Sequence, residues 1–84
     1  MSEEVKFKFT GLYKSVLEGV LNYHYTFLMI SENEDGTVRG DLKVCSVTEE
    51  LPIKGVNPGD YVRLISVLNK ETGKYVLRKI LPAA

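Results

Sequence analysis

The amino-acid sequence predicts an all-β protein, a small barrel of five strands in Greek-key order, and three observations support this prediction. Apolar and polar residues alternate along several stretches, which is the period of a strand with one buried face. Clusters of Gly, Pro, Asn and Asp separate these stretches, as expected for turns. The chain has 84 residues, too few for a two-sheet sandwich of immunoglobulin size, whereas closing five short strands into a barrel encloses one core and removes exposed edges.

The first half of the chain predicts one bent strand and one long hairpin. The alternation in VKFKF (residues 5–9) predicts strand 1, which continues to Tyr13, with Gly11 allowing a bend or bulge. The apolar run at residues 20–30 predicts strand 2, and residues 37–47 predict strand 3. Between them an Asp-Gly pair tolerates the positive φ of a tight turn, so strands 2 and 3 should form an antiparallel hairpin.

The second half predicts an irregular crossing and a second hairpin. Pro and Gly residues within 46–57 leave room for one short helical turn, Thr48 to Leu51, and for no longer helix. The stretch Asn57-Pro58-Gly59-Asp60 predicts a type II turn that leads into strand 4. A turn with Gly73 in the left-handed conformation then predicts strand 5 over residues 74–81.

We expect residues 1–84 to form a single barrel domain, with 1–4 as a flexible N-terminus and 82–84 as a short C-terminal tail. The start MSEEVKFKFT has acidic residues where a signal peptide carries basic ones. The longest uncharged run, residues 20–31, is too short and too polar to cross a bilayer. The protein is therefore expected to be cytoplasmic and to have no membrane partner.

Charge is balanced overall but not evenly distributed. Eleven Lys and Arg residues face eleven Asp and Glu residues, so the formal net charge is zero. Residues 54–79 nevertheless hold six bases and two acids, a net charge of +4, while acids gather at residues 32–35 and at Glu49-Glu50. This uneven distribution of charge has two interpretations: a positive face that binds a polyanion, or strand-edge lysines that prevent aggregation.

No arrangement of residues in the sequence predicts catalysis, a cofactor or a metal. Cys45 is the one cysteine and His24 the one histidine, whereas a structural zinc site usually needs four closely spaced ligands. There is no Gly-rich phosphate loop and no Ser flanked by glycines. We therefore expect a protein that is not an enzyme.

The order of the predicted elements resembles the OB-fold, a five-stranded Greek-key barrel. A long bent strand, a hairpin, an irregular crossing and a second hairpin follow one another, and Gly59-Asp60 precedes a strand with alternating Val62 and Leu64. An SH3-like barrel is the alternative. The resemblance implies binding of single-stranded DNA or RNA across strands 2 and 3 and the neighbouring loops, with aromatic rings stacking on bases and Lys or Arg contacting phosphates.

This resemblance selects a set of aromatic and basic residues as the candidate nucleic-acid site. They are Tyr23, His24 and Tyr25 on strand 2, Arg39 and Lys43 on strand 3, Arg63 on strand 4, and Lys70 and Lys74 in the loop between strands 4 and 5. The orientation of strand 2 stays open. If its tyrosines face the core, His24 points outward beside Arg39 and Lys43; a bulge in strand 2 would instead place the tyrosines outside.

A second hypothesis is a structural subunit that binds protein. The stretch DLKVCSVTEELPIKGVNPGDYVRLISVL (residues 41–68) resembles the small OB-fold subunit of archaeal RNA polymerases, which corresponds to the eighth subunit of the eukaryotic enzymes. That resemblance implies a role in transcription through binding to the large polymerase subunit, without contact to the template. Zero net charge and the acidic turn between strands 2 and 3 also fit such a role.

Overall fold

The computed structural model describes residues 5–83, which form one antiparallel sheet of five strands. The strands are β1 (Val5–Leu17), β2 (Val20–Glu32), β3 (Val38–Val47), β4 (Tyr61–Asn69) and β5 (Lys74–Pro82). Their order across the sheet is β3-β2-β1-β4-β5. Within 5–83 there is no helix, and hence none that could span a membrane. The all-β, five-strand prediction is confirmed; the predicted N-terminal segment 1–4 lies outside the described residues.

Strand β1 connects the two halves of the sheet. It pairs with β2 along its whole length but with β4 only at Phe7 and Lys8. A bulge follows Phe9, where two residues of β1 lie opposite Thr26 alone, so the predicted bend near Gly11 is confirmed. The Thr26 hydroxyl donates a hydrogen bond to the Gly11 carbonyl at 3.0 Å, which fixes the bulge. Beyond the end of β3, residues 15–17 of β1 and 20–22 of β2 continue as a two-stranded ribbon.

The turn before β4 holds that strand against β1. Gly59 has a φ of 98°, and the Asp60 N–H donates to the Asn57 carbonyl at 3.0 Å, which confirms the predicted turn. The Phe9 N–H then donates to the Asp60 carbonyl at 2.9 Å, and the Gly59 N–H donates to the Phe9 carbonyl at 2.7 Å. Gly73 is also left-handed, as predicted, with a φ of 71°.

The core lies on one face of the sheet, which we call the inner face. Its buried side chains come from four strands and from the β3–β4 connector: Phe9, Tyr25, Phe27, Leu51, Val56, Val62, Leu77 and Ile80. The helical turn predicted over Thr48–Leu51 does not form. Pro52 disfavours the helical conformation in the residue before it, and the Leu51 N–H instead donates to the Tyr25 hydroxyl at 2.7 Å.

Strand β5 ends differently from the prediction. β5 extends one residue further, to Pro82, which lies opposite Val62. Proline fits there because the next donor, the Ala83 N–H, makes the hydrogen bond to the Tyr61 carbonyl at 3.1 Å.

The edge strands β3 and β5 both line one open cleft, through residues 44–47 and 75–77.

Candidate nucleic-acid interface

The register between β2 and β3 determines which side chains share a face. Tyr25 lies opposite Cys45, and Phe27 lies opposite Lys43. Residues directly opposite in an antiparallel pair point to the same face. The tyrosines of β2 therefore face the core, as one of the two interpretations held, and the register of β2 against β3 has no bulge.

The same register overturns the predicted neighbourhood of His24. His24 lies opposite Ser46 on the outer face, whereas Arg39 and Lys43 belong to the set of β3 residues that faces inward. Arg39 also lies beside an acid, since its Nε is 3.0 Å from the Asp41 Oδ2. The prediction that His24 stands beside Arg39 and Lys43 is therefore wrong.

The two predicted tyrosines pack in or against the core. Tyr25 is fully buried, and its hydroxyl is bonded to the backbone of Leu51, so its ring offers no surface for a base. Burial is also the main cause that raises the pKa of the Tyr25 phenol. Tyr23 is half-buried against the core, with the Lys14 ammonium 5.6 Å from the centroid of its ring. The structure thus gives both rings a packing role.

Lys70 and Lys74 lie at the far end of β4 and β5 from Arg63. Lys74 pairs with Asn69 at the last position of the β4–β5 ladder, while Arg63 lies near its other end. At about 3.3 Å per residue this separation is roughly 20 Å. The structure therefore does not bring these two lysines together with Arg63.

Arg63 instead belongs to a basic surface on the outer face of β1, β4 and β5, which we call the basic face. Its members are Lys6, Lys8, Tyr61, Arg63 and Lys79, placed by the pairs Lys8–Tyr61, Arg63–Leu81 and Ile65–Lys79. The ammonium groups of Lys8 and Lys6 lie 5.1 Å and 5.9 Å from the centroid of the Tyr61 ring. That ring is exposed. An open cleft of about 470 Å³ runs beside it, with Lys6, Tyr61 and Arg63 among its lining residues.

His24 lies on the outer face too, in a stacked aromatic pair at the other end of β1. Its imidazole stacks on the exposed ring of Tyr13, with centroids 4.5 Å apart and an interplanar angle of 20°. The Ser15 Oγ lies 2.6 Å from His24 Nε2, and the Ser46 Oγ lies 2.7 Å from Nδ1. Both ring nitrogens therefore have hydroxyl partners, which fixes the plane of this platform.

Sequence reasoning selected His24 and Arg63 as site residues, and both lie on the outer face, but it missed their neighbours. Lys6 and Lys8 alternate with the phenylalanines of VKFKF, and this alternation was the available signal. Tyr61 and Lys79 are distant from them in sequence and meet them only through the β1–β4 and β4–β5 pairings. A pattern within a few residues of the sequence cannot predict contacts between strands that are distant in the chain.

The outer face of β3 is apolar. Val38, Leu42 and Val44 are exposed there, beside the half-buried Leu28 and Ile30 of β2. We call these five residues the apolar strip. In β3 these apolar residues alternate with polar ones, which is typical of a strand that faces a core, yet the register places them on the outer face.

The part of the chain that the structure describes brings no three His, Cys, Asp or Glu residues together as metal ligands. Cys45 is half-buried, and burial raises the pKa of its thiol, so the less reactive protonated form is favoured.

Comparison of the chain with protein-family models, with curated proteins and with solved structures finds no match.

Proposed function

We propose that this protein is a small non-enzymatic module of nucleic-acid machinery that binds single-stranded DNA or RNA on its basic face. The observation that carries the proposal is the position of Tyr61, an exposed ring whose centroid lies 5.9 Å and 5.1 Å from the ammonium groups of Lys6 and Lys8. Modules that bind single strands combine such rings, on which bases stack, with cations along the phosphate backbone.

The charges around Tyr61 favour a polyanion. Arg63 and Lys79 extend the basic face across β4 and β5. The nearest acid in sequence, Asp60, has its carboxylate engaged in the turn, where it accepts a hydrogen bond from the Asn57 N–H at 2.9 Å. The four cations of the basic face outnumber this one acid, so we expect a positive potential there although the whole chain is neutral.

A single strand fits the face better than a duplex. The Tyr13–His24 pair and Tyr61 both lie along the outer face of β1, separated by five residues from Lys8 to Tyr13, or about 17 Å. A flexible strand can place one base on each platform, with phosphates near Lys6 and Lys8 beside Tyr61, whereas the bases of a duplex are already stacked and paired.

The fold we propose for this function is an OB-type Greek-key barrel. The strand order β3-β2-β1-β4-β5 supports it, because closure would require only that the two edge strands pair. The shared cleft between residues 44–47 of β3 and 75–77 of β5 also supports it. The turn at Gly59-Asp60, docked on β1, is a further point of similarity.

A fluorescently labelled oligonucleotide, titrated with the protein at low salt and again at rising salt, tests the proposal. We expect saturable binding whose logarithmic affinity falls linearly with the logarithm of salt concentration. Lys8→Ala should flatten that slope by about 0.7, the contribution of one phosphate contact on a single strand. Lys43→Ala, on the other face, is the matched control. Absence of binding at low salt would refute the proposal.

The second candidate function is a structural subunit that binds a larger protein complex, such as an RNA polymerase, without touching nucleic acid. The apolar strip favours it, since three neighbouring aliphatic side chains of β3 are exposed. This function requires that the protein co-purify at fixed stoichiometry with a larger complex. Leu42→Lys should then release it, while Arg63→Ala should not.

A further inference from the structure

The β1–β2 hairpin projects beyond the body of the sheet and has one open edge. After the bulge, residues 12–17 of β1 pair with β2 on one side, and no other described strand pairs with them on the other. The hairpin closes through Glu18 and Gly19, whose φ values are 51° and 80°. Open edges of this kind offer unpaired backbone groups to another strand.

The tip of this hairpin is apolar on both faces. Val16 lies opposite Leu21 on one face, and Leu17 lies opposite Val20 on the other. All four side chains are exposed. A two-stranded ribbon is only marginally stable by itself, and exposed aliphatic clusters mark interaction sites. We call these four residues the hydrophobic tip.

The open edge also presents backbone hydrogen-bonding groups. Residues of an antiparallel ladder direct their N–H and C=O groups alternately toward the paired strand and away from it. The Leu17–Val20 pair closes the two-residue turn, so its backbone groups face each other across the hairpin. The groups of Lys14 and Val16 therefore face the open edge.

We propose that two copies of this chain associate through their hydrophobic tips, with the open edges of β1 paired antiparallel about a two-fold axis. Each copy then pairs a strand with the open edge of the other and buries the aliphatic side chains of the other's hydrophobic tip, as a self-complementary interface requires. Lys14 and Glu18 are the charged residues of segment 12–21. A two-fold axis at Val16 brings Lys14 of one copy opposite Glu18 of the other.

The charges also argue against the other occupants. A parallel arrangement would align like charges along the edge, which is unfavourable. Insertion of the tip into a membrane would carry Glu18, at the apex, into the hydrocarbon region first, and a carboxylate there is costly. The antiparallel pair with a second copy leaves no charge of this segment without an opposite partner. Because the contact is small, the association should be weak.

Sedimentation velocity at concentrations from about 5 to about 500 micromolar tests the proposal, since weak dimers of this size associate in that range. We expect a monomer–dimer equilibrium whose Kd rises about tenfold or more in Leu17→Lys. Leu17 and Leu42 are both 68% exposed. Leu42→Lys is therefore the matched control, and we expect it to leave the dimer unchanged.

Charge exchange tests the antiparallel arrangement. Lys14→Glu and Glu18→Lys should each weaken the dimer, and the double variant Lys14→Glu/Glu18→Lys should restore it. A chain that stays monomeric at every concentration would overturn the proposal. So would a dimer lost in Leu42→Lys but not in Leu17→Lys, or a double variant weaker than both single ones. Leu17-dependent sedimentation of a monomer with lipid vesicles would assign the tip to a membrane instead.

Discussion

The hydroxyl group of Tyr25 accepts a hydrogen bond from the backbone N–H of Leu51 at 2.7 Å and donates one to the Leu51 carbonyl at 3.4 Å. This reciprocal contact joins the middle of β2 to the β3–β4 connector. It satisfies a buried phenol and a buried backbone donor at once, and it holds the Leu51 side chain in the core.

Replacing Tyr25 by Phe should lower the free energy of unfolding by about 1–3 kcal/mol, because the buried Leu51 N–H loses its acceptor. Urea denaturation followed by circular dichroism measures the change. Tyr75→Phe is the matched control, since Tyr75 is 74% exposed and its substitution should have no effect. Equal stability of the two variants would contradict the role assigned to the hydroxyl.

The alkaline stability of the wild type should also depend on Tyr25. Burial raises the pKa of this phenol, so the folded state favours the protonated form. The corresponding stability is complete below the unfolded pKa of tyrosine, about 10, and is lost as pH rises through the higher folded value. The difference in unfolding free energy between wild type and Tyr25→Phe should therefore shrink above about pH 10. A constant difference across urea titrations at neutral and alkaline pH would count against this linkage.

Gly59→Ala should destabilise the fold by about 1–2 kcal/mol, because a Cβ at a φ of 98° is strained. The expected loss is measured by thermal or urea denaturation. Gly11→Ala is the control: Gly11 lacks a positive φ, and its added Cβ would lie 3.8 Å from the Thr26 Oγ1, an ordinary contact. If both variants lost the same stability, left-handed strain would not be the cause.

Tyr61→Leu should weaken oligonucleotide binding by about 1–3 kcal/mol, which is roughly 5-fold to 150-fold in Kd, because one stacking surface is lost. Tyr61→Phe keeps the ring and should bind nearly as wild type. Fluorescence anisotropy at constant salt gives both values, and circular dichroism confirms that the variants are folded. Wild-type affinity in Tyr61→Leu would exclude base stacking at this position.

The strands and turns were predictable from sequence because their causes are local. Alternation in VKFKF and the chemistry of Asn57-Pro58-Gly59-Asp60 act within a few residues, and the structure contains both elements. The face of β3 was not predictable in this way. Its apolar residues Val38, Leu42 and Val44 are even-numbered, yet the pairing of Tyr25 with Cys45 across the hairpin places the odd-numbered residues on the inner face.

The candidate site was predictable only in part for the same reason. His24 and Arg63 were identified from residue type and resemblance, and both lie on the outer face. The predicted basic residues Lys43 and Lys74 lie outside the basic face, Lys43 on the inner face and Lys74 at the far end of the β4–β5 ladder. The place of a residue along its own strand does not show which residues of other strands lie next to it. Lys8 and Tyr61 meet through a ladder of two residue pairs between β1 and β4, formed by segments far apart in sequence.

The hydrogen bonds of Phe9 to Gly59 and Asp60 have a consequence for folding kinetics. The β1–β2, β2–β3 and β4–β5 pairs are hairpins between neighbouring segments, whereas the contact at Phe9 closes a loop over more than half of the chain. Local hairpins form in microseconds, while closing a long loop costs entropy before any contact rewards it. The rate-limiting step of folding should therefore be the docking of the turn at residues 57–60 on Phe9 of β1.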